Sequence, residues 1–215
     1  LDDAGFAYAP STEATASHLT PVVLATPESL AGYGRLVDDP AEVAIEIVRW
    51  PAQGWRPVDG NSGDQGGVVE GTFELEWRGD TLYGRNDAVG DAYLFAWSTR
   101  PWEARASGPT RPRREALMWR ANYHPDGGQM VFPMNGEAFL ASLAPPGDDV
   151  KPGDFVTFKI AGGRGLYVPP GVWHGPFIPL ADRATLLDRQ GRVHARVSVD
   201  FVKEFGVFLT APLEI

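Results

Sequence analysis

The chain of 215 residues contains no cysteine, three methionines and only four histidines. Without a thiol there is no cysteine nucleophile, no thiolate-bound zinc, no iron–sulfur centre and no disulfide framework. Positive charge is also short: 19 Lys and Arg stand against 28 Asp and Glu, a formal net charge of −9. Such a chain lacks the broad basic field that binds phosphate backbones, so nucleic acid is not an expected partner. Its one basic cluster, Arg111-Pro112-Arg113-Arg114, reads as a solvated loop. No apolar run approaches the roughly 20 residues of a membrane span. The opening residues have no basic stretch followed by an apolar one, so the expectation is no signal peptide, no membrane partner and a cytoplasmic protein.

Helical periodicity is scarce as well. Residues 1–20 are rich in Ala, Ser and Thr and read as an arm that orders only by docking on something, which leaves 21–215 as the folded domain. Thr26-Pro27 is a helix-start signal and Gly32 or Gly34 a stop, predicting one short helix over 27–32. The rest is strand-like: 43–50, 72–77, 81–84, 92–97, 116–120, 129–133, 138–144, 155–160, 193–202 and 205–210. Phe73, Leu75 and Trp77 alternate with Glu74 and Glu76, the pattern of a half-buried strand, and Arg78-Gly79-Asp80 reads as the turn after it. Asp188-Arg189-Gln190-Gly191 reads as a second hairpin turn. Many short strands between Gly and Pro turns predict an all-β protein, a jelly-roll β-barrel. The stretches 41–105 and 116–210 belong to one barrel or to two related ones, and composition leaves both open.

Chemistry concentrates around two of the four histidines. His18 lies in the arm, and His194 follows a turn, where a surface histidine is expected. His174 ends the segment Gly163-Arg-Gly-Leu-Tyr-Val-Pro169-Pro-Gly171-Val-Trp-His174. This spacing of Gly, Pro, Gly and His resembles the second motif of the cupin family. Upstream, Asn122, His124, Gln129 and Gly136 keep the spacing of the family's first motif, with Asn122 in the first histidine place and Gln129 in the glutamate place. The resemblance implies a metal on His124, Gln129 and His174: nickel, manganese, zinc or iron. Two neutral imidazoles and amide oxygens make a weaker, uncharged site than three imidazoles and a carboxylate. Such a site suits a loosely held divalent ion, or stays metal-free and hydrogen-bonds a ligand.

Within the cupins, the chain is similar to the bacterial ureidoglycolate lyase family. The similarity rests on Gly32-Tyr33-Gly34, His124-Pro125, Gln129, Phe132-Pro133-Met134-Asn135-Gly136-Glu137-Ala138-Phe139, Val172-Trp173-His174 and Asp200-Phe201, in that order. The family's Tyr-His pair before Val-Trp-His falls on Val168 and Pro169, with Tyr167 one step away, and Gly175 stands where the family doubles the histidine. Residues 48–115 have no counterpart.

The resemblance implies cleavage of ureidoglycolate, or a similar small hydroxy acid with a nitrogen leaving group, to glyoxylate and urea. His124, His174, Tyr167 and Glu137 are the candidates for proton transfer. Strand alternation puts Arg120, Asn122 and His124 on one face, where Arg120 can hold a carboxylate bidentately, and turns Tyr123 away. Asn122 and Trp173 are further candidates for substrate contact. A non-catalytic small-molecule-binding cupin and a metal-dependent dioxygenase or isomerase of the same fold are the rival readings. Pairing through sheet edges predicts a homodimer.

Overall fold

A computed structural model describes residues 16–48, 54–60, 62–63, 66–109, 111–192 and 195–214. His194 and Trp50 lie outside them. The described residues form sixteen strands: β1 (Ala16–Leu19), β2 (Val22–Leu24), β3 (Arg35–Val37), β4 (Val68–Arg78), β5 (Thr81–Asn86), β6 (Asp91–Trp97), β7 (Glu115–Met118), β8 (Arg120–Tyr123), β9 (Gln129–Pro133), β10 (Phe139–Ala144), β11 (Val156–Ile160), β12 (Gly165–Val168), β13 (Trp173–Pro179), β14 (Arg183–Gly191), β15 (Val197–Asp200) and β16 (Val207–Pro212). The protein is all-β, with one short α-helix, α1 (Phe201–Phe205), and two single-turn 3-10 helices, Pro40–Glu42 and Pro152–Asp154, among the described residues.

The strands form two sheets instead of one hydrogen-bonded cylinder. The larger has the order β1-β16-β7-β6-β5-β4-β14-β9-β12-β3, the smaller β15-β8-β13-β10-β11-β2. Both stretches weighed as separate barrels, 41–105 and 116–210, contribute strands to the larger sheet. The sheets face one another across an aromatic core. Phe177 of β13 meets Phe73 of β4 and Phe139 of β10 edge-on, at ring separations of 6.5 and 6.0 Å, an arrangement that suits the ring quadrupoles.

Two places carry the chain between sheets. Residues 16–24 pair first with β16 and then with β11, in parallel both times. At the crossing, the Thr20 hydroxyl donates to the Thr210 carbonyl at 3.0 Å and meets the Thr157 hydroxyl at 2.6 Å. The second crossing is at Trp119. Residues 115–118 belong to the large sheet and 120–123 to the small one, so a segment expected as one strand is two. Buried Trp119 packs with Leu94, Trp97, Leu117 and Phe208 and donates its indole N–H to the Leu94 carbonyl at 3.3 Å. The bend turns Arg120, Asn122 and His124 toward the space between the sheets.

Several local expectations are corrected. Residues 27–33 are a run of turns and not a helix. Thr26 and Ser29 cap one another, Leu30 N–H reaches Thr26 O, and Gly32 then leaves the helical region at φ +85°. Residues 43–48 form one isolated bridge, Ile47 to Gly127, in place of a strand. The strand expected over 193–202 gives way at Phe201 to α1. The Asp200 carboxylate accepts from the Val202 and Lys203 N–H groups, and Gly206 ends the helix in the left-handed region at φ +67°.

The largest correction is Asp188-Arg189-Gln190-Gly191, which is the end of β14 and not a turn. Asp188 and Gln190 point inward and are buried. Asp188 accepts hydrogen bonds from the side-chain amides of Asn86 (2.9 Å), Gln129 (2.7 Å) and Gln190 (2.5 Å). These three bonds favour the carboxylate, but removal from water outweighs them and pushes Asp188 up to about 6 from the usual 3.8.

No helix among the described residues is long and apolar enough to cross a membrane.

Two predictions follow from this packing. A Cβ on Gly84 would lie 2.1 Å from Phe95 Cε2 and 3.0 Å from Phe73 Cε2. Gly84→Ala is therefore expected to destabilise the fold by roughly 1–3 kcal/mol in urea titrations, and an unchanged midpoint would contradict the packing. Between about pH 4 and 6 the native protein holds a proton on Asp188 that the unfolded chain releases. Stability therefore falls as pH rises through that window. Relative to Asp188→Asn, the wild type should lose about 3 kcal/mol across it; parallel stability–pH curves would contradict this.

Candidate functional site

The cavity between the sheets centres on β8 and β13. These strands pair antiparallel with Asn122 opposite His174. The Asn122 amide nitrogen lies 3.3 Å from His174 Nε2 and 3.5 Å from His124 Nε2, and the two imidazole centroids are 5.3 Å apart. The two motifs, fifty residues apart in the chain, therefore meet in one place.

Each ring is anchored by its other nitrogen. His124 Nδ1 donates to the Ala195 carbonyl at 2.9 Å, and His174 Nδ1 to the Gly175 carbonyl at 3.3 Å. A carbonyl only accepts, so the ring proton sits on Nδ1 and Nε2 presents its lone pair to Asn122. Burial and the neighbouring His124 push His174 down to about 3, against a smaller opposing effect of the Gly175 carbonyl. His174 is thus a neutral imidazole at physiological pH, stacked on Phe177 at 5.7 Å.

Around this pair lie Arg120, Gln129 and Arg196. Arg120 makes no ion pair with any described residue; its guanidinium lies over Trp119 at 4.8 Å and Tyr93 at 6.0 Å. Burial lowers its pKa, and the positive charge of Arg196 lowers it further. Arg196 is held by Asp59, whose Oδ2 accepts from Arg196 Nε and from the Ser198 hydroxyl, each at 2.7 Å. Phe73, Tyr93, Phe95 and Phe177 supply the apolar wall. The space open to water-sized groups is about 50 Å³. One water needs about 10–15 Å³ on that measure, so the cavity has room for a few water-sized groups.

Of the residues singled out in the sequence, Arg120, Asn122, His124, Gln129 and His174 come together here. Tyr167, Glu137 and Trp173 do not. The Tyr167 hydroxyl accepts from the Glu46 N–H at 3.2 Å, in a separate cluster with Val37, Val43 and Met130. Glu137 braces its own turn by accepting from the main chain and side chain of Asn135, both at 3.0 Å. Trp173 is fully buried on the opposite side of β13, against Tyr123 at 4.7 Å, with its indole N–H on the Gly147 carbonyl. Strand alternation explains this: His174 faces the cavity, so its neighbour cannot.

Sequence reasoning missed Arg196, Asn86, Tyr93 and Phe95. The last three come from the stretch without a family counterpart. The alternation of Phe73, Leu75 and Trp77 was the available signal that this stretch has an inner face.

Comparisons with known proteins agree with the motif reading over part of the chain. Residues 105–200 match the sequence model of the family described as ureidoglycolate lyase. The ureidoglycolate lyase of Azotobacter vinelandii is 39% identical over 70 residues, covering 32% of this chain and 42% of that protein. The enzyme of the same name from Pseudomonas fluorescens is 32% identical over 110 residues, covering 50% of this chain and 64% of the relative. Ureidoglycolate lyase 2 of Rhizobium meliloti is 34% identical over 70 residues, covering 32% of this chain and 42% of that protein. Each match therefore takes in less than two-thirds of the relative. Residues 105–200, which carry both histidine motifs and Arg120, resemble ureidoglycolate lyases, while the aromatic wall from β4 to β6 lies outside the matched segment.

Proposed function

We propose that the cavity binds a small hydroxy acid and that the protein is a carbon–nitrogen lyase, cleaving ureidoglycolate to glyoxylate and urea. The observation that supports it most is the pairing of two guanidiniums with two imidazoles, that of His174 neutral, in one cavity of an acidic chain. A guanidinium with no ion pair among the described residues is suited to a ligand carboxylate, which Arg120 would hold bidentately. The names of the relatives supply the substrate.

In this reading the substrate carboxylate lies against Arg120, with Arg196 adding positive potential. The hydroxyl proton passes to His124 Nε2. That ring keeps its Nδ1 proton on the Ala195 carbonyl, which stabilises the imidazolium. His174 stays neutral, because two charged rings this close and this buried are unfavourable. As the oxygen lone pair becomes the carbonyl of glyoxylate, the carbon–nitrogen bond breaks. Its electron pair goes to the ureido nitrogen, which takes the proton back from His124 and leaves as urea. One proton shuttles and none is consumed, so Tyr167 and Glu137 are not needed.

A divalent ion on His124, Gln129 and His174 fits this donor set poorly. Such an ion would find only neutral ligands. Among the described residues no three His, Cys, Asp or Glu side chains gather in one place. No step is therefore assigned to a metal.

Release of urea and glyoxylate from ureidoglycolate tests the reading. His124→Ala should lower kcat by at least about 100-fold while keeping a cooperative thermal transition. Full activity in that variant would contradict it. Arg120→Lys should raise KM by roughly 10–100-fold with a smaller change in kcat; an unchanged KM would remove Arg120 from substrate binding. Dialysis against a chelator should leave turnover unchanged. Loss restored by nickel or manganese would instead place an ion on His124, Gln129 and His174.

A further inference from the structure

Asp188 is a buried carboxylate whose described hydrogen-bond partners are the three side-chain amides of Asn86, Gln129 and Gln190. An ionised carboxylate accepts and cannot donate. Each amide must therefore turn its NH2 group toward Asp188 and its oxygen elsewhere. For Gln129 this matters at the cavity. Gln129 lines the cavity beside Asn122 and His124, and its Oε1 is buried with no hydrogen-bond partner among the described residues. A buried acceptor left without a donor is destabilising and uncommon in a native protein. Gln190 Oε1 is orphaned in the same way, but Gln190 does not line the cavity.

Of the other polar groups of the wall, Arg120 and Arg196 donate, and the acceptor Nε2 atoms of His124 and His174 face the NH2 group of Asn122. Gln129 Oε1 is the buried acceptor of a lining residue that still lacks a donor among the described residues.

We infer that Gln129 determines specificity for ligands carrying an amide or ureido N–H, and that Asp188 is the positioning residue that locks the Gln129 oxygen in the accepting orientation. This rests on the small-acid reading of the same cavity and adds to it the recognition of the nitrogen end.

The test uses two isosteric acids that lack the hydroxyl and so cannot be cleaved: N-carbamoylglycine and levulinate. They share a carboxylate and a carbonyl, but levulinate has CH2 and CH3 where the other has NH and NH2. Calorimetric titration of the full chain should show N-carbamoylglycine binding about tenfold more tightly. Gln129→Met, of similar length but without the acceptor, should bring the ratio near one with little change for levulinate. Asp188→Asn offers Gln129 a donor as well as an acceptor, which lets its amide turn over, and should lower the ratio too. If that variant fails to fold, Gln129→Met decides alone.

Equal binding of both acids to the wild type, abolished by Arg120→Ala, would overturn this inference and leave the small-acid reading standing. A preference that survives Gln129→Met would also overturn it. So would a Gln129→Met variant that loses manganese or nickel binding at an unchanged ratio, which would give the oxygen to a metal. If neither acid binds, the small-acid reading fails and this inference with it.

Discussion

The site depends on one register: Asn122 of β8 opposite His174 of β13. A slip of one residue would turn His174 away and bring Trp173 or Gly175 into its place, because side chains alternate across a strand. The register is held from both ends. On one side, β8 begins immediately after the bend at Trp119, whose ring is fixed in its own aromatic cluster. On the other, the Gly171 N–H donates to the His124 carbonyl at 2.9 Å, tying the turn before β13 to the end of β8. Two imidazoles can then share one amide without either strand being free to move alone.

The cavity's other half comes from elsewhere. Phe73, Asn86, Tyr93 and Phe95 lie on β4, β5 and β6, outside the segment that resembles the lyases. Their contribution is largely apolar, and it keeps the imidazole pair dry enough for His174 to remain neutral. Asn86 joins this wall to the Asp188 hub, and Asp188 joins it to Gln129. The segment 54–60 adds a further tie. Arg56 makes a bidentate pair with Glu204 and stacks on Trp55, while Asp59 holds Arg196 at the cavity. The stretch without a family counterpart thus completes the site that the matched stretch begins.

The sequence made the strands and the imidazole pair legible because both are local patterns. Alternation at Phe73, Leu75 and Trp77 reports a half-buried strand whatever packs on it. The spacings around His124 and His174 carry the turn geometry that aims each ring. What stayed hidden were partners distant in the chain. Asp188-Arg189-Gln190-Gly191 has turn composition, and only three amides contributed by β5, β9 and β14 itself make it an inward-facing strand end. Tyr167, Glu137 and Trp173 were drawn to the site by closeness in sequence to the motifs, and alternation or a local turn places each outside the cavity. Arg196 has no motif; its role comes from Asp59, more than a hundred residues earlier.

The proposed chemistry needs both imidazoles to carry a proton on Nδ1 and to turn Nε2 into one shared cavity. Long-range proton–nitrogen NMR of the imidazoles, recorded near neutral pH with and without glyoxylate, measures this directly. The account predicts non-protonated Nε2 resonances for both His124 and His174, and a shift of both rings when glyoxylate enters. Rings protonated at Nε2, or a glyoxylate response confined to His18 or His194, would contradict it.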